Sequence, residues 1–147
     1  MFLKTNTPYG TLTMRCIFML IIHVADLHLG ASPDAGESWG RNRKQELWDS
    51  FEKLIEAVEV QRADLLLIAG DLFHRPPLLR ELREVNDRFV SLSNTKVVLM
   101  AGNHDFVGTN SFYKGFQWAE NVHFFEEERI QSVKFQELNV EIYGLSY

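Results

Sequence analysis

"LLLIAGDLFH", residues 65–74, runs five apolar residues into one glycine and then a carboxylate, Asp71. A short apolar run closed by a turn signal reads as a strand buried on both faces. Gly70 lets the backbone turn at the strand's end and removes side-chain bulk beside anything bound there. Asp71 is then either a turn residue or a ligand for a cation. Two other stretches repeat the arrangement: residues 16–24, "CIFMLIIHV", lead into "ADLHLG", and residues 96–100, "KVVLM", lead into "AGNHDF".

Two amphipathic helices separate these strands. Residues 43–61 place Leu47, Trp48, Phe51, Leu54, Ile55 and Val58 on one stripe, and residues 78–92 repeat Leu78, Leu82, Val85, Phe89 and Leu92 on one face. Pro76 and Pro77 stand where a helix can begin but not extend backwards. Strand, helix, strand, helix, strand implies βαβ units on a largely parallel sheet, an α/β fold. Beyond them the pattern predicts a short helix over 111–118 and strands over 122–125, 130–135 and 140–143, the last two forming a β-hairpin across "QELN". Residues 1–18 read as a loose leader, followed by a single domain over 19–147.

Strands of an open parallel sheet share one carboxyl edge, and ligands bind in the crevice outside it. Asp26, His28, Asp71, Asn103, His104 and Asp105 should converge there. Singly, each acid could be a turn or a helix cap. Jointly they form a cluster of like charges that is costly to hold together without a cation. Carboxylate oxygen, imidazole nitrogen and amide oxygen suit Mn, Fe or Zn better than Ca. Asp26 and His28 share parity in an extended segment, so both can reach one ion. Two ions roughly 3.5–4 Å apart can clamp a phosphate and activate water for phosphoester hydrolysis. Asp71, on the middle motif, is the candidate bridge between them. His104 is placed to protonate a leaving alkoxide, with Asp105 orienting it. Arg75 is the nearest cation, and it and His74 are candidate contacts to a substrate phosphate.

At these residues the chain resembles the calcineurin-like metallophosphoesterases, through the ordered set D-x-H, GD and GNHD. The flanking words "HVADLHLG", "LLLIAGDLFHR" and "VLMAGNHD" are similar to the DNA-repair exonuclease branch. That branch comprises bacterial SbcD- and YhaO-type proteins and their archaeal and eukaryotic double-strand-break repair relatives. The resemblance covers residues 19–147 and implies the family's αββα sandwich, here in part, as amino-terminal βαβαβ units plus a hairpin. It implies that Asp26 and His28 bind the first of two divalent ions, that Asp71 bridges, and that Asn103 binds the second. His104 would be the catalytic acid and Asp105 its partner, with Mn as the favoured metal. It also implies a nuclease acting on DNA beside an ATPase partner of the SbcC type. A small phosphodiester, such as a cyclic nucleotide, is the alternative substrate. The family completes its second metal site with a further histidine and a G-H-x-H word that residues 1–147 do not contain. The second site is therefore expected to be incomplete, and the chain to be an amino-terminal portion or an inactive remnant.

Composition sets outer bounds. A net charge of −5 argues against binding nucleic acid by bulk charge alone, although bound cations would reverse the local field. No apolar stretch approaches the ~20 residues that span a bilayer, so no membrane is expected. The lone Cys16 excludes an intrachain disulfide framework and makes a reducing cytoplasm the natural compartment.

Overall fold

The computed structural model describes residues 2–5, 18–33, 36–37 and 42–147. Most of the expected leader, the start of the first predicted strand at Cys16, and parts of the polar loop before residue 42 lie outside the described residues. The elements are β1 (Phe2–Thr5), β2 (Ile21–Val24), α1 (Arg43–Val60), β3 (Leu65–Ala69), α2 (Leu79–Ser91), β4 (Lys96–Met100), β5 (Val122–Phe125), β6 (Gln131–Phe135) and β7 (Val140–Gly144).

β2, β3, β4 and β5 form a parallel sheet in that spatial order. Its order follows the chain, so each crossover steps in the same direction. Crossovers of one hand then place both helices on a single face. The packing agrees with this. Phe51, Ile55 and Val58 of α1 and Leu82, Val85 and Phe89 of α2 share a core with Leu66, Ile68, Val97 and Leu99 of the strands.

The alternate strand residues point the other way. Leu65, Leu67, Val98 and Phe125 pack against Val140 and Ile142 of β7, the middle strand of an antiparallel sheet ordered β1-β7-β6. Both faces of β3 are thus buried, as its uninterrupted apolar run requires. The layers are helix, parallel sheet and antiparallel sheet, an α/β arrangement consistent with part of the expected sandwich.

Two expectations change. Phe2–Thr5, within the stretch read as a loose leader, pairs antiparallel with β7 from Phe2 opposite Tyr143 to Thr5 opposite Val140. Four residues are too few for periodicity to register, and the partner lies at the far end of the sequence. The helix expected over 111–118 is a series of turns instead. Lys114 N donates to Ser111 O and Phe116 N to Tyr113 O, while Gly115 at φ +72° takes the chain out of helical geometry. Tyr113, Phe116 and Trp118 spend their rings on an aromatic cluster with Phe124.

Candidate metal centre

The loops leaving β2, β3 and β4 are laced together. Asp26 N donates to Gly70 O at 3.2 Å, His28 N to Asp71 O at 2.9 Å and Leu29 N to Leu72 O at 2.9 Å, and His74 N returns to Leu29 O at 3.1 Å. The β3 and β4 loops exchange side-chain bonds: Asp71 Oδ1 accepts from His104 N at 2.9 Å, and Asp105 Oδ2 accepts from Phe73 N at 3.1 Å. Behind them, the segment after β7 braces the end of β4. Ala101 N donates to the buried Ser146 Oγ at 2.8 Å, and Val107 N donates to Tyr147 O at 2.9 Å.

The backbone is bent hard where the ligand candidates sit. Asp26 (φ 56°), His28 (φ 47°) and Asp71 (φ 50°) all lie in the left-handed region. That region costs of order 1–3 kcal/mol for a residue other than glycine, and such strain gathers at functional sites. Convergence of Asp26 and His28 therefore does not come from shared parity on an extended strand, as expected. It comes from two left-handed residues that curl the loop onto Gly70 and Asp71. The glycine of GNHD is a packing requirement: a Cβ at Gly102 would lie 2.2 Å from Asp71 Oδ1.

Two groups of donor atoms result. Asp26, His28 and Asp71 each offer an atom within 4.8 Å of the others, and so do His28, His74 and His104. His28 belongs to both. Its Nε2 lies 3.9 Å from Asp26 Oδ1 and its Nδ1 lies 3.4 Å from His74 Nδ1. The His104 ring stands edge-on to His28 at 4.7 Å and stacks on His74 at 5.2 Å. Asp71 is buried, Asp26 and His104 are open to solvent, and Asn103 stands exposed on the GNHD turn. Among the described residues, no lysine or arginine pairs with Asp26 or Asp71. Clustered carboxylates and imidazoles without a basic side chain to neutralise them fit a divalent cation.

Two candidate residues have other partners than the sequence suggested. No hydrogen bond joins the Asp105 carboxylate to the His104 ring. Asp105 is fully buried, with Oδ1 accepting from Gly102 N at 2.7 Å and Oδ2 from Phe73 N and from Tyr113 Oη at 2.8 Å. Burial pushes its carboxyl pKa up, against the pull of those three hydrogen bonds. His104 is oriented by backbone instead. Since a carbonyl can only accept, Nδ1–H donates to His74 O at 3.3 Å. Arg75, expected at the substrate, forms a fork on Glu81 at 2.8 and 3.0 Å. Glu81 also accepts from Leu78 N at 2.8 Å, at the start of α2. Burial disfavours its charge, but the bonds from Arg75 and Leu78 outweigh burial and hold its pKa below the ordinary value.

Sequence reasoning missed Tyr113 and Ser146. Tyr113 lies in "SFYKGFQW", where no metal or catalytic pattern marks it. Its hydroxyl matters only because the fold buries it against Asp105.

The calcineurin-like phosphoesterase profile matches residues 19–145. The chain is 38% identical over 88 residues to the DNA double-strand break repair protein Mre11 of Aeropyrum pernix, covering 58% of this chain and 20% of that protein. It is 35% identical over 95 residues to the SbcD component of nuclease SbcCD of Bacillus subtilis, covering 59% and 22%. It is 31% identical over 140 residues to the uncharacterized metallophosphoesterase YhaO of Bacillus subtilis, covering 88% and 34%. The chain thus spans about a fifth to a third of the length of these curated relatives. With its three motifs gathered at one sheet edge and most of its length matched, this chain belongs to the calcineurin-like phosphoesterase family.

Proposed function

We propose that the protein is a metal-dependent phosphodiesterase of the DNA-exonuclease type, working in DNA repair. The observation that carries this reading is the Asp26, His28 and Asp71 donor group, with an oriented and solvent-open His104 beside it. Asp26 and His28 would hold one divalent ion, Asp71 would bridge to a second, and Asn103 would join the second. Mn is favoured for mixed oxygen and nitrogen donors, with Fe and Zn as alternatives. When bound, such ions supply positive charge against the phosphate and acidify water.

The chain's own residues do the rest. Asp71 Oδ1 takes the amide hydrogen of His104, which leaves Oδ2 for coordination and ties the bridging carboxylate to the catalytic imidazole. His104, held through Nδ1–H on His74 O, keeps Nε2 free of that bond. When protonated there, it donates to the leaving alkoxide. His74, stacked on His104, is the candidate contact to substrate phosphate. Arg75 is not part of this set, being committed to Glu81.

DNA is preferred over small phosphodiesters because relatives named as a DNA repair protein and a nuclease are 38% and 35% identical to this chain over 88 and 95 residues. A relative named as one component of the SbcCD nuclease also supports a partner protein, of the ATPase type that the resemblance implies. No helix among the described residues is long and apolar enough to cross a membrane.

The test compares Mn-dependent hydrolysis of linear double-stranded DNA with that of a cyclic nucleotide, for wild type and Asp71→Asn. DNA turnover that disappears in the variant together with Mn binding supports the reading. Turnover confined to the cyclic nucleotide replaces the substrate. Stoichiometric Mn binding without turnover of either substrate identifies the inactive remnant.

A further inference from the structure

The carboxylate of Asp105 reaches across two ligand-bearing loops at once. It takes Gly102 N, adjacent to Asn103, on one oxygen and Phe73 N, adjacent to His74, on the other. It is fully buried and stands in the place where the expected role was to orient His104. The third hydrogen bond comes from outside both loops, from the hydroxyl of Tyr113 at 2.8 Å. Tyr113 is itself buried, and its ring stacks on Phe124 with centroids 4.7 Å apart and planes 19° from parallel.

We propose that Tyr113 is a positioning residue of this site, its buried hydroxyl acting through Asp105 to hold the GDLFH and GNHD loops in mutual register. A carboxylate that accepts two backbone bonds can still swing about its Cβ–Cγ axis. A third hydrogen bond, delivered by a hydroxyl buried in the core, removes that freedom. The plane of the Asp105 carboxylate then fixes where Phe73 N and Gly102 N lie. Through them it sets the distance between the imidazoles of His74 and His104 and the approach of Asp71 to His104 N. Partners that hold metal ligands in place contribute roughly 10–100-fold to affinity or activity. The proposal relies on the metal-centre reading for one arm of its test only.

Tyr113→Phe deletes the hydroxyl and keeps the ring stack. Phe124→Leu disturbs the stack and leaves the hydroxyl, so it reports what loss of packing alone does. Two quantities are read: the affinity for Mn²⁺ alone, and the ring proton–carbon signals of His28, His74 and His104 in the metal-free protein at fixed pH. For Tyr113→Phe we expect Mn²⁺ affinity lowered about tenfold and the His74 and His104 signals displaced. For Phe124→Leu we expect a lower Tm with both quantities as in wild type. Wild-type affinity and unmoved ring signals in Tyr113→Phe overturn the proposal, and so does an equal displacement in Phe124→Leu. If wild type binds no Mn²⁺ while Tyr113→Phe alone displaces the ring signals, the metal-centre reading falls and the positioning role stands.

Discussion

In the proposed acid role His104 would act through one nitrogen, because the other is already committed to the His74 carbonyl. His104→Ala should therefore slow DNA hydrolysis by roughly 10²–10⁴-fold, the usual contribution of a positioned acid. Mn binding should stay unchanged, and most of the rate should return on a phosphodiester with a nitrophenolate leaving group, which needs no proton. Parallel rate measurements on the two substrates check this; an equal loss on both would remove His104 from the acid role. Gly102 is constrained by space. Its Cβ would meet Asp71 Oδ1 at 2.2 Å, so Gly102→Ala must push Asp71 away from His104 N or shift the loop. Destabilisation of about 1–3 kcal/mol in urea unfolding is expected, with loss of metal binding. The motif letters made both residues visible, but the tautomer of His104 and the contact at Gly102 depend on loops far apart in sequence.

Helix α2 begins where Glu81 folds back onto Leu78 N and grips Arg75, so one carboxylate joins the helix start to the chain leaving GDLFH. The folded state lowers the pKa of Glu81 from its ordinary value of 4.5. A depressed carboxylate adds stability that is present above the unfolded value and lost as pH falls through the folded one. Glu81→Gln should thus be less stable than wild type at neutral pH, and the gap should close as pH drops below 4.5. Thermal unfolding of both proteins across that range would show it; a gap constant with pH would mean that charge is not involved. At this scale the sequence was readable where apolar spacing is long and regular. α1, β3, α2 and β4 lie within a residue or so of the expected bounds. Residues 111–118 failed because tertiary partners decide their path: the rings of Tyr113 and Trp118 pack on Phe124 and the Tyr113 hydroxyl bonds Asp105.

Across the whole molecule, the parallel sheet is held between the helices and the second sheet. Between the two sheets, Leu65, Leu67, Val98 and Phe125 pack against Val140 and Ile142, with Ile21, Met100, Val133 and Phe135 around them. Ile142→Ala should cost about 2–5 kcal/mol and loosen β6 and β7 before the helix-covered face. Amide exchange should show protection falling in β7 more than in β3; a uniform fall would mean the layers unfold as one unit. The sequence by itself determined that βαβ units put three acidic motifs on one sheet edge, because periodicity and strand direction are local properties that topology merely adds up. Tertiary structure decided the rest. It curled Asp26 and His28 through left-handed backbone, gave Arg75 to Glu81, paired β1 with β7, and turned Asp105 from His104 toward Tyr113. Each of those outcomes depends on which polar group finds a partner, and the partners sit on segments that only folding brings together.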